Sequence, residues 1–138
     1  MLPPPKSVLV VDDQPAVLSI FERILDRAGY AVTCADTGKL ALSHMISTHF
    51  DVVITDVFMP DMDGTEIIAA VRKHQNSAYV IACSGGGAYM SSPDVLRIAR
   101  TLGADSSLPK PFTPSQLLNA VAAVERTIVE PQAGSAAA

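Results

Sequence analysis

Five residues carry the chemistry that this sequence offers: the adjacent pair Asp12 and Asp13, then Asp56, Ser84 and Lys110. Each sits at the end of a short run of strand character: residues 8–11 before the pair, 52–55 before Asp56, 79–83 before Ser84, and a short polar run over 105–108 before Lys110. Three carboxylates brought within a few ångströms repel one another and stay ionised together only when a cation shares the site. Hard oxygen donors with room for water suit Mg2+ (or Mn2+), which is usually held by one or two carboxylates plus phosphate oxygens. A lysine point charge and a hydroxyl are the further parts needed to hold a phosphoryl group. A carboxylate can itself be the nucleophile and form an aspartyl phosphate. The chemistry implied is metal-assisted phosphoryl transfer onto an aspartate.

These residues lie far apart in the chain, so their meeting depends on the elements between them. The uninterrupted apolar run Val8, Leu9, Val10, Val11 is the signature of a strand buried on both faces. Pro15 suits a first helical turn, where its missing N–H is not needed. Val17, Leu18, Phe21, Ile24, Leu25 and Ala28 then recur at helical spacing until Gly29. A weaker strand follows over 30–35. A helix over 38–47 turns Leu42, Met45 and Ile46 inward. Residues 52–55 form a third strand, and a helix over 65–73 buries Ile67, Ile68 and Val71. Residues 79–83 form a fourth strand, followed by Gly85-Gly86-Gly87 and a helix over 93–102. The fifth strand, over 105–108, is short and polar. Pro114 starts a fifth helix to about residue 129, with Leu117, Leu118, Val121, Val124 and Ile128 inward.

Strands alternating with helices predict an α/β fold, a parallel sheet covered on both faces, in which function gathers beyond the carboxyl ends of the strands. The 138 residues fit one domain: an extended Pro-rich segment over 1–6, a folded unit over 7–129, and a small, polar tail over 130–138 expected to be disordered. The net charge of −4 gives no field for a phosphate backbone, so direct nucleic-acid binding is not expected. No apolar run approaches the roughly 20 residues of a membrane span, and the start lacks a secretory signal. Cys34 and Cys83 form no CxxC pair, and His44, His49 and His74 match no metal-ligand spacing. A cytoplasmic location is the expectation.

Asp12-Asp13, Asp56 followed by Met59-Pro60-Asp61-Met62-Asp63-Gly64, Ser84-Gly85 and Lys110-Pro111-Phe112 together resemble a CheY-like response-regulator receiver domain of two-component signalling, in a stand-alone form. The resemblance covers residues 7–129. It implies a flavodoxin-like (βα)5 three-layer sandwich with strand order 2-1-3-4-5. It implies that Asp56 is the phosphoacceptor and that Asp12, Asp13 and Asp56, with the backbone carbonyl of Phe58, hold Mg2+. Lys110 and Ser84 would contact the phosphoryl group, and a cis peptide before Pro111 would orient Lys110. The implied partners are a sensor histidine kinase or histidine phosphotransfer protein and a downstream protein target. A homodimer through the fourth helix, fifth strand and fifth helix is a further expected assembly.

The sequence departs from the family pattern at Ser107, where an aromatic switch residue often stands. Output is then expected to run through the glycine-rich loop and fourth helix, with Tyr89 as a candidate. Phe58 and Gly86, beside the site, offer no polar side chain to orient an attacking water, so slow dephosphorylation is expected. A phosphorylation-independent docking module of the same fold is the alternative function. A flavodoxin-like flavoprotein is disfavoured, because acidic strand ends repel an FMN phosphate. The Asp61-Met62-Asp63-Gly64-Thr65 run spells the DxDGT motif of haloacid-dehalogenase-like phosphatases, but Pro60 precedes it where a buried central strand would have to run. An EF-hand fails because Met59 stands in place of its first oxygen ligand. Individually, Asp13 and Asp63 read equally well as helix caps.

Overall fold

The computed structural model describes residues 6–57, 64–75, 77–84, 97, 100–101 and 103–123. Residues 1–5 of the extended segment expected over 1–6, most of the fourth helix, the end of the fifth and the tail over 130–138 lie outside them. Apolar runs with β-branched residues form β1 (Ser7–Val11), β2 (Ala31–Ala35), β3 (Val52–Asp56) and β4 (Tyr79–Ser84), and a short polar run forms β5 (Ser106–Pro109). Between them run α1 (Pro15–Arg27), α2 (Gly38–Ser47) and α3 (Gly64–His74), and residues 114–123 form a C-terminal helix. All strand pairs are parallel, in the order β2-β1-β3-β4-β5. This is the doubly wound, flavodoxin-like arrangement of the CheY fold.

Side chains alternate across the sheet and divide the core in two. Leu9, Val11, Val53, Val80 and Ala82 pack with Ala41 and Met45 of α2 and with Ile67, Ile68 and Val71 of α3. Val8, Val10, Val52, Ile54, Ile81, Cys83 and Leu108 pack with Leu18, Phe21 and Leu25 of α1 and with Leu117 and Val121 of the C-terminal helix. The central strand β3 is buried throughout, as its unbroken apolar run requires.

Local chemistry sets the ends of the elements. Thr37 caps α2 by accepting the Leu40 N–H at 3.1 Å. Thr113 and Gln116 form a reciprocal capping box: Thr113 N donates to Gln116 Oε1 at 2.8 Å, and Gln116 N donates to Thr113 Oγ1 at 3.1 Å. Gly29, with φ +95°, takes the left-handed conformation that ends α1.

One inward assignment is corrected. Ile46 is 70% exposed, because the buried face of α2 runs through Gly38, Ala41 and Met45 instead. Ala28 is exposed as the C-cap of α1, past the last turn that meets the sheet. The fifth strand is shifted by one residue, which frees Asp105 for a different task. Its Oδ2 accepts from Val80 N at 2.8 Å and pairs with Arg72 Nη2 at 2.8 Å. Arg72 also donates to the carbonyls of Ala78 and Gly103, so α3 is clamped to the entries of β4 and β5. Gln75 is a second buried clamp. Its Oε1 accepts from Phe50 N at 2.7 Å, and its Nε2 donates to the carbonyls of Met45, at 2.8 Å, and Thr48.

Candidate functional site

The site forms where β1 and β3 end side by side. Val11 pairs with Thr55, so the next residues are neighbours: Asp12, just past β1, and Asp56, the last residue of β3. Both are buried, at 1% and 7% exposure, while Asp13 is half-buried. One carboxylate oxygen from each of Asp12, Asp13 and Asp56 lies within 4.8 Å of the others. Carboxylates this deep need compensation. Asp12 has it on both oxygens: Oδ1 accepts the Gln14 N–H at 2.9 Å, and Oδ2 accepts from Lys110 Nζ at 2.5 Å. The N-terminus of α1, which begins at Pro15, adds a favourable dipole.

The cap reading of Asp13 fails here. The N-cap of α1 is Gln14, with no side-chain cap bond and with Pro15 in the first turn. Asp13 is thereby left to the cluster. Asp63 lies outside the described residues.

Lys110 reaches the cluster from two strands away. Pro109 ends β5 paired with Ser84, and β4 stands between β5 and β3. The lysine stem and the facing carboxylates together cross that gap, and Nζ lies 3.3 Å from Asp56 Oδ2 as well as on Asp12. Burial works to lower the ammonium's pKa, but the hydrogen bond to Asp12 and the charges of Asp56 and Asp12 outweigh it and raise the pKa above its ordinary value. The Lys110–Pro111 peptide is cis. On one side of Lys110 is β5, and on the other Phe112 packs on Phe21 and Thr113 caps the C-terminal helix.

Ser84 closes β4 beside Pro109, at the same edge of the sheet. Phe58 and Gly86 lie outside the described residues. Ser107 is half-buried in β5, one residue before the core residue Leu108. Cys83 is buried below the cluster, and its thiol is pushed up to about 12, chiefly by burial. The half-buried Cys34 thiol is raised to about 11 by burial and the nearby charge of Glu22. Neither is a reactive thiolate. Sequence reasoning missed Gln14, whose backbone N–H fixes Asp12; a backbone donor leaves no trace in residue type.

Three clustered carboxylates, two of them buried, beside a lysine ammonium can hold a divalent cation and a phosphoryl group. Comparison with known proteins gives the family. The response regulator receiver domain family matches residues 8–122, and the chain belongs to that family. Response regulator MprA of Mycolicibacterium vanbaalenii is 35% identical over 136 residues, covering 97% of this chain and 57% of the relative. Transcriptional regulatory protein PrrA of Mycobacterium leprae is 36% identical over 119 residues, covering 86% of this chain and 49% of the relative. The chain thus spans about half the length of the curated relatives it matches. Among solved structures, chemotaxis protein CheY4 of Vibrio cholerae superposes with a TM-score of 0.79 at 33% identity, covering 87% of this chain and 98% of that one. A CheY-like receiver domain protein of Methanospirillum hungatei gives 0.82 at 28% identity, covering 91% and 98%. Receiver domains are the phosphoacceptor signalling modules of two-component response regulators, and this chain is one of them by sequence and fold. No helix among the described residues is long and apolar enough to cross a membrane.

Proposed function

We propose that Asp56 accepts a phosphoryl group from a sensor histidine kinase or histidine phosphotransfer protein, and that the modified domain changes its affinity for a downstream protein. The observation that carries this reading is the placement of Lys110 Nζ against Asp12 and Asp56, within a cluster of three carboxylates. A carboxylate oxygen of Asp56 attacks phosphorus, the P–N bond to the donor histidine breaks, and its electron pair returns to the imidazole. Lys110 neutralises charge on the phosphoryl oxygens, and Ser84 donates a hydrogen bond to them. Asp12, Asp13 and Asp56 would hold Mg2+ or Mn2+, with the Phe58 carbonyl as the further ligand that the family resemblance implies. The three clustered carboxylates fit such an ion, since they are hard donors close enough to share one. When bound, the ion offsets the negative charge that gathers as a phosphoryl group approaches a carboxylate.

The meeting of Asp12, Asp56 and Lys110 in the free protein supports this reading, since groups already together lower the orientation cost of transfer. The reading places the domain in the cytoplasm, with a homodimer through the fourth helix, β5 and the C-terminal helix as one output. Titration with beryllofluoride in the presence of Mg2+ tests it. Saturable shifts in the amide NMR spectrum at β3, Ser84 and Lys110 are expected. An unchanged spectrum would favour the phosphorylation-independent docking module instead.

A further inference from the structure

Thr55 carries the only hydroxyl of β3 and is fully buried. It stands two residues after Val53, on the face of the strand that packs under α2 and α3. Its register neighbours, Val11 and Ala82, belong to the same apolar layer. Valine has nearly the same shape and would fill this place without a hydroxyl to desolvate. The hydroxyl has a partner: Oγ1 donates to the main-chain carbonyl of Asp56 at 3.0 Å. The same peptide unit is held at its other end, where the N–H of Val57 donates to the Cys83 carbonyl at 3.0 Å. That second bond joins main chain to main chain and forms with almost any side chain at these positions. The first exists only because residue 55 bears a hydroxyl.

We infer that Thr55 is a positioning residue for phosphoryl transfer: its hydroxyl fixes the Asp56–Val57 peptide, and so sets the direction in which the Asp56 carboxylate leaves the end of β3. The inference rests on the proposed function. A tilt of that peptide is passed to the Cα and Cβ of Asp56, and the attacking oxygen lies beyond both. Lys110 Nζ sits closer to Asp12, at 2.5 Å, than to Asp56, at 3.3 Å, so the ammonium does not by itself set the line of attack. Held at both ends, the peptide confines the nucleophile from the main-chain side, where no charge has to be spent on it.

The test compares Thr55→Val, which removes the hydroxyl and keeps the shape, with Thr55→Ser, which restores the hydroxyl. Phosphorylation by acetyl phosphate at saturating Mg2+ is followed by intact mass, and urea denaturation gives the folded fraction of each variant. Thr55→Val should be phosphorylated about tenfold more slowly per folded molecule, as expected for a displacement of the nucleophile well under 1 Å. Thr55→Ser, with a freer χ1, should recover to within about threefold of the wild type. A hydroxyl with a structural role alone would move the urea midpoint and leave the rate on folded protein unchanged. In the wild type, which needs no variant, replacing the Thr55 hydroxyl hydrogen by deuterium should shift the Asp56 carbonyl 13C resonance. If that isotope shift is absent, if Thr55→Val reacts at the wild-type rate, or if Thr55→Ser is as slow as Thr55→Val, the positioning role is wrong and the phosphoacceptor reading stands. If the wild type takes no phosphoryl group and beryllofluoride leaves its spectrum unchanged, the proposed function fails and this inference with it.

Discussion

Phe21 of α1 and Phe112, two residues beyond Lys110, meet with ring centroids 4.9 Å apart and planes inclined by 42°. This tilted contact joins the helix that follows Asp12-Asp13 to the segment that carries the lysine, so the two sides of the site are held by one pair of rings. Phe21 is buried and Phe112 half-buried, so truncating the latter removes a partly solvated ring. Phe112→Ala is expected to cost about 1–3 kcal/mol, below the 3–5 typical of a fully buried phenylalanine. Urea denaturation measures this. The rate of phosphorylation by a small donor should fall by more than the loss of folded protein explains, because Lys110 loses its anchor.

Gln75 makes a different kind of link, from the end of α3 to the carboxyl end of α2 and to Phe50. Gln75→Leu keeps the volume but leaves the buried Phe50 N–H without its acceptor and the Met45 carbonyl without this donor. A loss of about 2–4 kcal/mol is expected, since each orphaned buried group costs about 1–3. The residue lies away from the carboxylate cluster, so the fraction phosphorylated at saturation, measured on folded protein, should not change.

Ser106 offers the opposite sign. Its Oγ is buried and has no hydrogen-bond partner among the described residues. Ser106→Ala removes an unsatisfied hydroxyl and is expected to raise stability by roughly 1 kcal/mol. A lower urea midpoint for this variant would show that the hydroxyl has a partner in solution.

Alkaline pH should weaken the fold through Cys83. Its thiol is pushed up from an ordinary value near 9 to about 12 in the folded chain. Between those values the unfolded chain has lost a proton that the folded chain keeps, so the unfolded state binds fewer protons and stability falls as pH rises. Below pH 9 the thiol is neutral in both states and contributes no slope. The raised pKa of Lys110 acts in the same direction, its stabilisation being complete below the ordinary lysine value and lost as pH climbs through the folded one. Denaturation midpoints from pH 8 to 11 should decline, and Cys83→Ala should flatten part of the decline. Iodoacetamide at pH 8 should leave Cys83 of the folded protein unmodified.

Much of the site was readable because its residues interrupt apolar runs. Asp12, Asp13 and Asp56 stand where buried strands stop, and a parallel sheet brings such ends to one edge. The same logic located Ser84 and Lys110. What stayed hidden was polar structure made with distant backbone. Arg72 holds carbonyls 6 and 31 residues away, and Gln75 holds groups 25 to 30 residues away. A side chain that bonds to main chain has no partner residue type to betray it. Ile46 misled because helical period alone does not tell which turn still faces the sheet. Asp105 was assigned to a strand because β5 is polar and short, with little apolar pattern to fix its register.

The central claim is that Asp56 is a phosphoacceptor. Its most direct test is the intact mass of the purified protein after incubation with acetyl phosphate and Mg2+, with Asp56→Asn and a chelator as parallel controls. Addition of one phosphoryl group to the wild type, absent from both controls, is the predicted result. An equal adduct on Asp56→Asn would contradict the account, and so would the absence of any adduct in a protein whose spectrum beryllofluoride also leaves unchanged.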